Sequence, residues 1–187
     1  MKGKGCLILG YIAVISGYCL GVATAIREML GGQPSTDILV QIKGFFPCLT
    51  PQGALPTLGL TLLTAAAGLS AVGVAVCLPL GAFATYSWGV FTAATFSAFG
   101  IKGLLPFLLT LPITVTEFIL MAAVSGDGIK ASFFTLQRLG IITDPKSQYI
   151  PISDFSIPRY IKSTLFALLI AGGVTIYGHF VSGYVFH

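Results

Sequence analysis

Glu117 sits inside the run 111 to 130, LPITVTEFILMAAVSGDGIK, and is the only charge between Lys102 and Asp127. An ionised carboxylate at the centre of a bilayer costs roughly 2 to 3 kcal/mol even on permissive insertion scales, so such a group faces a protein interior or a wet cavity. On a helix its neighbours at three and four positions are Ile113, Thr114, Leu120 and Met121. Thr114 is therefore its polar neighbour, and Thr110 lies two turns back on the same side. Glu117, Thr114 and Thr110 form the candidate intramembrane polar site. Its chemistry is either the binding of a proton, an ion or a polar substrate, or a hydrogen-bonded Glu that fixes helix packing against Thr57, Thr61, Thr64 or Ser70. The packing reading is favoured.

Other chemistry is sparse. The sequence contains no G-x-S-x-G nucleophile motif, no P-loop and no paired carboxylates in an apolar segment, and so no catalytic set. The four cysteines, Cys6, Cys19, Cys48 and Cys77, have no C-x-x-C spacing, and neither a disulfide nor a metal site follows from them. His179 has no second ligand candidate beside it and reads as an interfacial hydrogen-bonding residue. No cofactor is expected. "SGDGIK" reads as a helix-terminating turn, with Gly126 and Gly128 permitting positive φ and Asp127 closing it.

The elements that must carry Glu117 are membrane helices. Of 187 residues, 55% are hydrophobic and 9% are charged, against about 25% charged in an average soluble domain. Ten Lys/Arg and six Asp/Glu cannot cover a soluble surface. The basic residues are scattered, which argues against nucleic acid as a partner. The expected architecture is all-α, a single membrane-embedded domain over 1–187 with about five transmembrane helices and one or two interfacial amphipathic helices.

The spans are expected near 6–26, 57–79, 82–100, 104–124 and 163–184. The first reads as an uncleaved span, since its apolar run exceeds a usual signal h-region. Residues 55–100 carry no charge and are too long for one crossing, so they must fold back, with the break expected at Pro79 and Gly81. "STDILVQIKGFF" has N-capping residues and apolar positions at helical spacing, the pattern of an interfacial helix. "KASFFTLQRLGI" reads as a second one inside the polar segment 125–162. Lys2 and Lys4, together with the Lys/Arg-rich 125–162 segment, place the N-terminus and that segment in the cytoplasm. Glu117 then lies about seven residues from the cytoplasmic end of its span, roughly 10 Å inside. Cys48 is expected to label from outside, and Cys19 and Cys77 to stay silent. Gly68, Gly73, Ala71 and Gly178 are the expected helix-packing positions, small enough for close approach.

The segment PITVTEFILMAAVSGDGIKA resembles the Pro-His-Gly-x-x-Glu pattern, small-residue stretch and Gly-Leu-basic-Leu of the stage II sporulation protein M-like membrane proteins. Pro112, Glu117 and Gly128 fall at the family's spacing, Ile129-Lys130-Ala131 stands for its Leu-basic-Leu, and Trp88-Gly89 matches its upstream Asn-Gly in the Gly. Ile113 and Thr114 stand where the family has His and Gly. The resemblance runs from Thr57 to Ala131. It implies a non-enzymatic scaffold or complex subunit of the cell membrane. A partner in the bilayer, another protein or a second copy of the chain, is expected on physical grounds, because five short spans bury few residues on all sides and the second offers a small-residue face. A second resemblance, of residues 58–85 to the start of an ABC-transporter permease core, implies a transporter component instead, although the permease's Glu-Ala-Ala coupling loop is absent. A membrane enzyme ranks third.

Overall fold

The computed structural model describes residues 4–48, 50–141 and 155–186. Within them every regular element is helical. Lys2, Lys146 and the middle of the expected cytoplasmic segment, 142–154, lie outside the described residues.

Three helical stretches are long and apolar enough to cross a membrane: Gly5–Leu30, Gly73–Arg138 and Ile157–Val185. The first lies in α1 (Lys4–Leu30) and the last is α7 (Ile157–Val185). The middle stretch of 66 residues is two helices, α5 (Gly73–Phe99) and α6 (Leu104–Arg138), joined by the 3-10 turn Gly100–Gly103. They lie antiparallel. Phe96 meets Phe107 at 5.4 Å near the turn, and at the far end the Val74 amide donates to Ser132 Oγ at 3.3 Å. Gly100 makes the reversal possible, with φ at 54° in the region that disfavours side chains.

Between α1 and α5 come α2 (Ser35–Ile42), a 3-10 turn (Lys43–Phe45), α3 (Pro51–Ala54), a π turn (Leu55–Gly59) and α4 (Leu60–Gly68). Helix α2 starts after Pro34 without a side-chain cap, so the Ser and Thr expected to cap it do not. It buries Ile38 against Ala25, Val90 and Ala94 and so covers one end of the α1–α5 pair, called the α2 face below. From Thr57 to Gly68 the chain runs parallel to α6, with Thr57 bonded to Glu117 and Gly68 packed on Gly128. Helix α7 returns antiparallel to α6. Its Tyr160 hydroxyl donates to the Ala65 carbonyl at 2.6 Å, and Ser163 reaches Asp127 at 2.9 Å.

The fold corrects several sequence expectations. The helix break expected at Pro79 and Gly81 lies instead at Leu69–Val72, between α4 and α5, where Ser70 Oγ donates to the Ala67 carbonyl at 2.7 Å. Pro79 is inside α5, its side chain on the exposed face, so its cost, a missing N–H and a ring crowding the carbonyl four residues back, falls on that face of the helix. The helices over the stretch read as 57–79 and 82–100 are Leu60–Gly68 and Gly73–Phe99. "SGDGIK" does not end its helix near 124. It continues α6 to Arg138, and "KASFFTLQR" is the last part of that helix rather than a separate interfacial one. Asp127 pairs with Lys130 at 3.2 Å. Cys48 is buried, with Sγ 2.9 Å from Thr50 Oγ1, while Cys19 is exposed. Cys48 is therefore not the open outside reporter expected.

Small residues set the closest helix approach. A Cβ at Gly10, Gly17 or Gly21 of α1 would collide with the backbone of Ala122, Ala82 or Tyr86. Gly17→Leu is expected to cost about 1–3 kcal/mol by overpacking, read as a lower thermal midpoint in detergent. Gly172→Leu, at a position with nothing within 4 Å, is expected to leave that midpoint nearly unchanged.

Candidate functional site

Glu117 is 7% exposed and lies where α5, α6 and the π turn meet. Thr57 Oγ1 donates to its Oε1 at 2.7 Å, and the Trp88 indole N–H donates to its Oε2. Each carboxyl oxygen thus holds one donor from a different element.

The local sequence explains the placement. Pro56 has no N–H and its ring crowds the preceding turn. The π turn widens the helix there, and Leu60 N reaches both the Pro56 and Thr57 carbonyls. Thr57 is 7% exposed and points inward, and its carbonyl accepts from Thr61 Oγ1 at 2.7 Å. Trp88, 3% exposed, is held edge-on by Phe46 at 5.6 Å and Phe91 at 5.9 Å. A buried indole N–H needs an acceptor, and Glu117 supplies it.

Along α6, Leu104 lies 13 residues before Glu117, about 20 Å, and Asp127, the next charge, ten residues after it, about 15 Å. Glu117 is therefore near the middle of the apolar length, deeper than the roughly 10 Å expected from a span ending at 124. It also lines a cavity of about 20 Å³ with Thr57, Ser87, Phe45, Phe83 and Met121, enough room for one water.

The other expected members of the polar site do not join it. Thr110 Oγ1 donates to the Phe107 carbonyl at 3.0 Å and Thr114 Oγ1 to the Thr110 carbonyl at 3.0 Å. Both hydroxyls are spent on their own helix, the usual alternative for a helical Thr. Trp88 and Ser87 are site residues that helical spacing from Glu117 cannot reveal. The available signal for Trp88 was chemical, a lone indole donor in an uncharged span.

The packing residues sit as follows. A Cβ on Gly68 would meet Tyr160 Oη at 2.7 Å, and one on Gly73 would meet the Ala67 carbonyl at 2.5 Å. The Ala71 carbonyl accepts from Ser132 Oγ at 3.3 Å. A Cβ on Gly178 would collide with the Pro47 carbonyl. His179 has its ring 5.9 Å from Phe180 and belongs to no metal-binding cluster among the described residues.

No family model, curated protein or solved structure matches this chain. The functional reading therefore rests on the geometry just described.

Proposed function

We propose that the chain is a five-crossing protein of the cell membrane with its N-terminus in the cytoplasm. In this reading it serves as a non-enzymatic scaffold or subunit of a membrane complex, the class of role that its resemblance to the stage II sporulation protein M-like proteins implies. The observation that carries it is the closed polar core. Both oxygens of Glu117 are taken by donors within the chain, and the space beside them holds about one water. A carboxylate bound up in this way ties helices together.

The crossing count follows if residues 51–68, about 27 Å of helix at 1.5 Å per residue, form the second span beside α6. Orientation follows from Lys130, Arg138, Arg159 and Lys162, which gather at the α6 C-terminal and α7 N-terminal ends. One observation favours the runner-up, a transporter component: an acidic group near mid-membrane with a cavity against it, a common mark of ion and proton pathways.

Purification and flux separate the two. The purified chain, reconstituted alone, is expected to leave ion and proton gradients decaying as in protein-free vesicles. In mild detergent it is expected to elute with a membrane partner, or a second copy, at fixed stoichiometry. A gradient-driven flux that Glu117→Gln abolishes, in protein that still assembles, would establish the transporter reading instead.

A further inference from the structure

The cavity at Glu117 is the inner one of a pair. A second, of about 10 Å³, has Ile42, Phe45, Ser87 and Phe186 among its walls and so lies at the end of α2, nearer the α2 face. Phe45 and Ser87 line both. Phe45, 44% exposed, and Phe83, 51% exposed, both line the inner cavity and meet edge-on at 6.1 Å, so these two rings stand between it and the surroundings. In the opposite direction the packing is tight. Thr61 bridges to Met121 Sδ at 3.9 Å, Cys77 Sγ donates to the Thr64 carbonyl at 3.4 Å, and Gly68 lies against Gly128.

We propose that Glu117 is a proton-binding site loaded and unloaded only from the α2 face, the proton being relayed by single waters past Phe45 and Ser87. The proton comes from water at that face, settles on a Glu117 carboxyl oxygen and leaves by the same route. One-sided access makes the group a sensor of the compartment at the α2 face and denies it a transport path. The inference rests on the reading of Glu117 as the tie between α5, α6 and the π turn, and adds that the tie gains and loses a proton in place.

No other ionisable side chain lines the cavity. On the elements around it, Tyr18 of α1 meets Phe118 at 5.4 Å, Lys43 lies over Phe186 at 5.7 Å, and Tyr177 of α7 donates to the Leu109 carbonyl. Cys77 is held on Thr64, Asp127 is paired with Lys130, and His179 lies against Phe180. The hydrogen bonds of Glu117 go to Thr57 and Trp88 alone. A titration of the site therefore belongs to Glu117.

The chain carries its own reporter, because Trp88 is the only tryptophan and its indole is bonded to the group in question. In vesicles of scored orientation, a pH jump at the α2 face is expected to change Trp88 emission, and Glu117→Gln is expected to abolish the change. Phe45→Ala should speed the response about tenfold and Ser87→Leu slow it about tenfold; both keep Glu117, so they decide the matter even if Glu117→Gln does not fold. A flat wild type, an unaltered response in Glu117→Gln, or an equally fast response to a jump at the opposite face would overturn the proposal. A flat wild type in which the Trp88 indole is still hydrogen-bonded sinks the proton site and spares the tie. Loss of that bond sinks both.

Discussion

Trp88→Ala is expected to be the most destabilising single substitution in the chain, at about 3–5 kcal/mol for a buried aromatic cut to Ala. The ring is 3% exposed and is the hub on which Phe46 and Phe91 pack edge-on. Its removal also strips Glu117 Oε2 of its donor, leaving a buried polar atom unsatisfied. Trp88→Phe separates the two effects. It keeps most of the ring packing and loses only the N–H, so its cost should fall to about 1–3 kcal/mol, the penalty of one orphaned buried group. Unfolding in mixed detergent micelles reads both values. A Trp88→Phe protein as stable as the parent would mean that the indole bond contributes nothing.

Glu117→Leu is the second. The leucine leaves two donors behind, and they fare differently. Thr57 can turn its hydroxyl back to a carbonyl of its own helix, whereas the Trp88 N–H has no such local alternative. The expected loss is about 1–3 kcal/mol, most of it on the α5 side. Glu117→Gln should cost far less, because the amide oxygen can accept from Trp88 while its NH2 donates to the Thr57 hydroxyl, which accepts as readily as it donates. Thermal midpoints in detergent should therefore fall in the order parent, Gln, Leu, with Gln close to the parent. A Gln variant as unstable as Leu would argue that charge, rather than hydrogen bonding, holds the site.

The broad architecture was legible because apolar length is a strong signal. A chain with no charge from Leu55 to Gly100 has to fold back on itself, and a lone Glu in such surroundings has to face protein. The position of the fold-back was not legible. Pro79 and Gly81 carry the usual signs of a break, yet Pro79 rides on the exposed face of α5 and Gly81 packs against Ser125. The actual turn at Leu69–Val72 has no positive-φ residue, so nothing in its composition announces it.

The same ambiguity of glycine misled at "SGDGIK". Gly126 and Gly128 serve as contact points, the first facing the backbone of Cys6 and Leu7, the second Cys77 and Gly68. Sequence alone cannot tell a glycine that turns the chain from one that lets another helix approach. The site was half legible for a related reason. Helical spacing ranks neighbours on one helix, so it nominated Thr110 and Thr114, while the true partners come from other elements. Thr57 was within reach as one of several hydroxyls on the second span. Trp88 required matching the one indole donor to a carboxyl placed deep in an apolar helix.

The central claim is that the Trp88 indole donates to the Glu117 carboxyl and so ties α5 to α6. With one tryptophan in the chain, a ¹⁵N-labelled sample in detergent micelles or nanodiscs gives a single indole N–H resonance. That resonance is predicted to lie well downfield in the parent, as expected for a donor on a carboxyl oxygen, to stay hydrogen-bonded but shifted in Glu117→Gln, and to move upfield in Glu117→Leu. An indole resonance at the same position in the parent and in a folded Glu117→Leu protein would contradict the account.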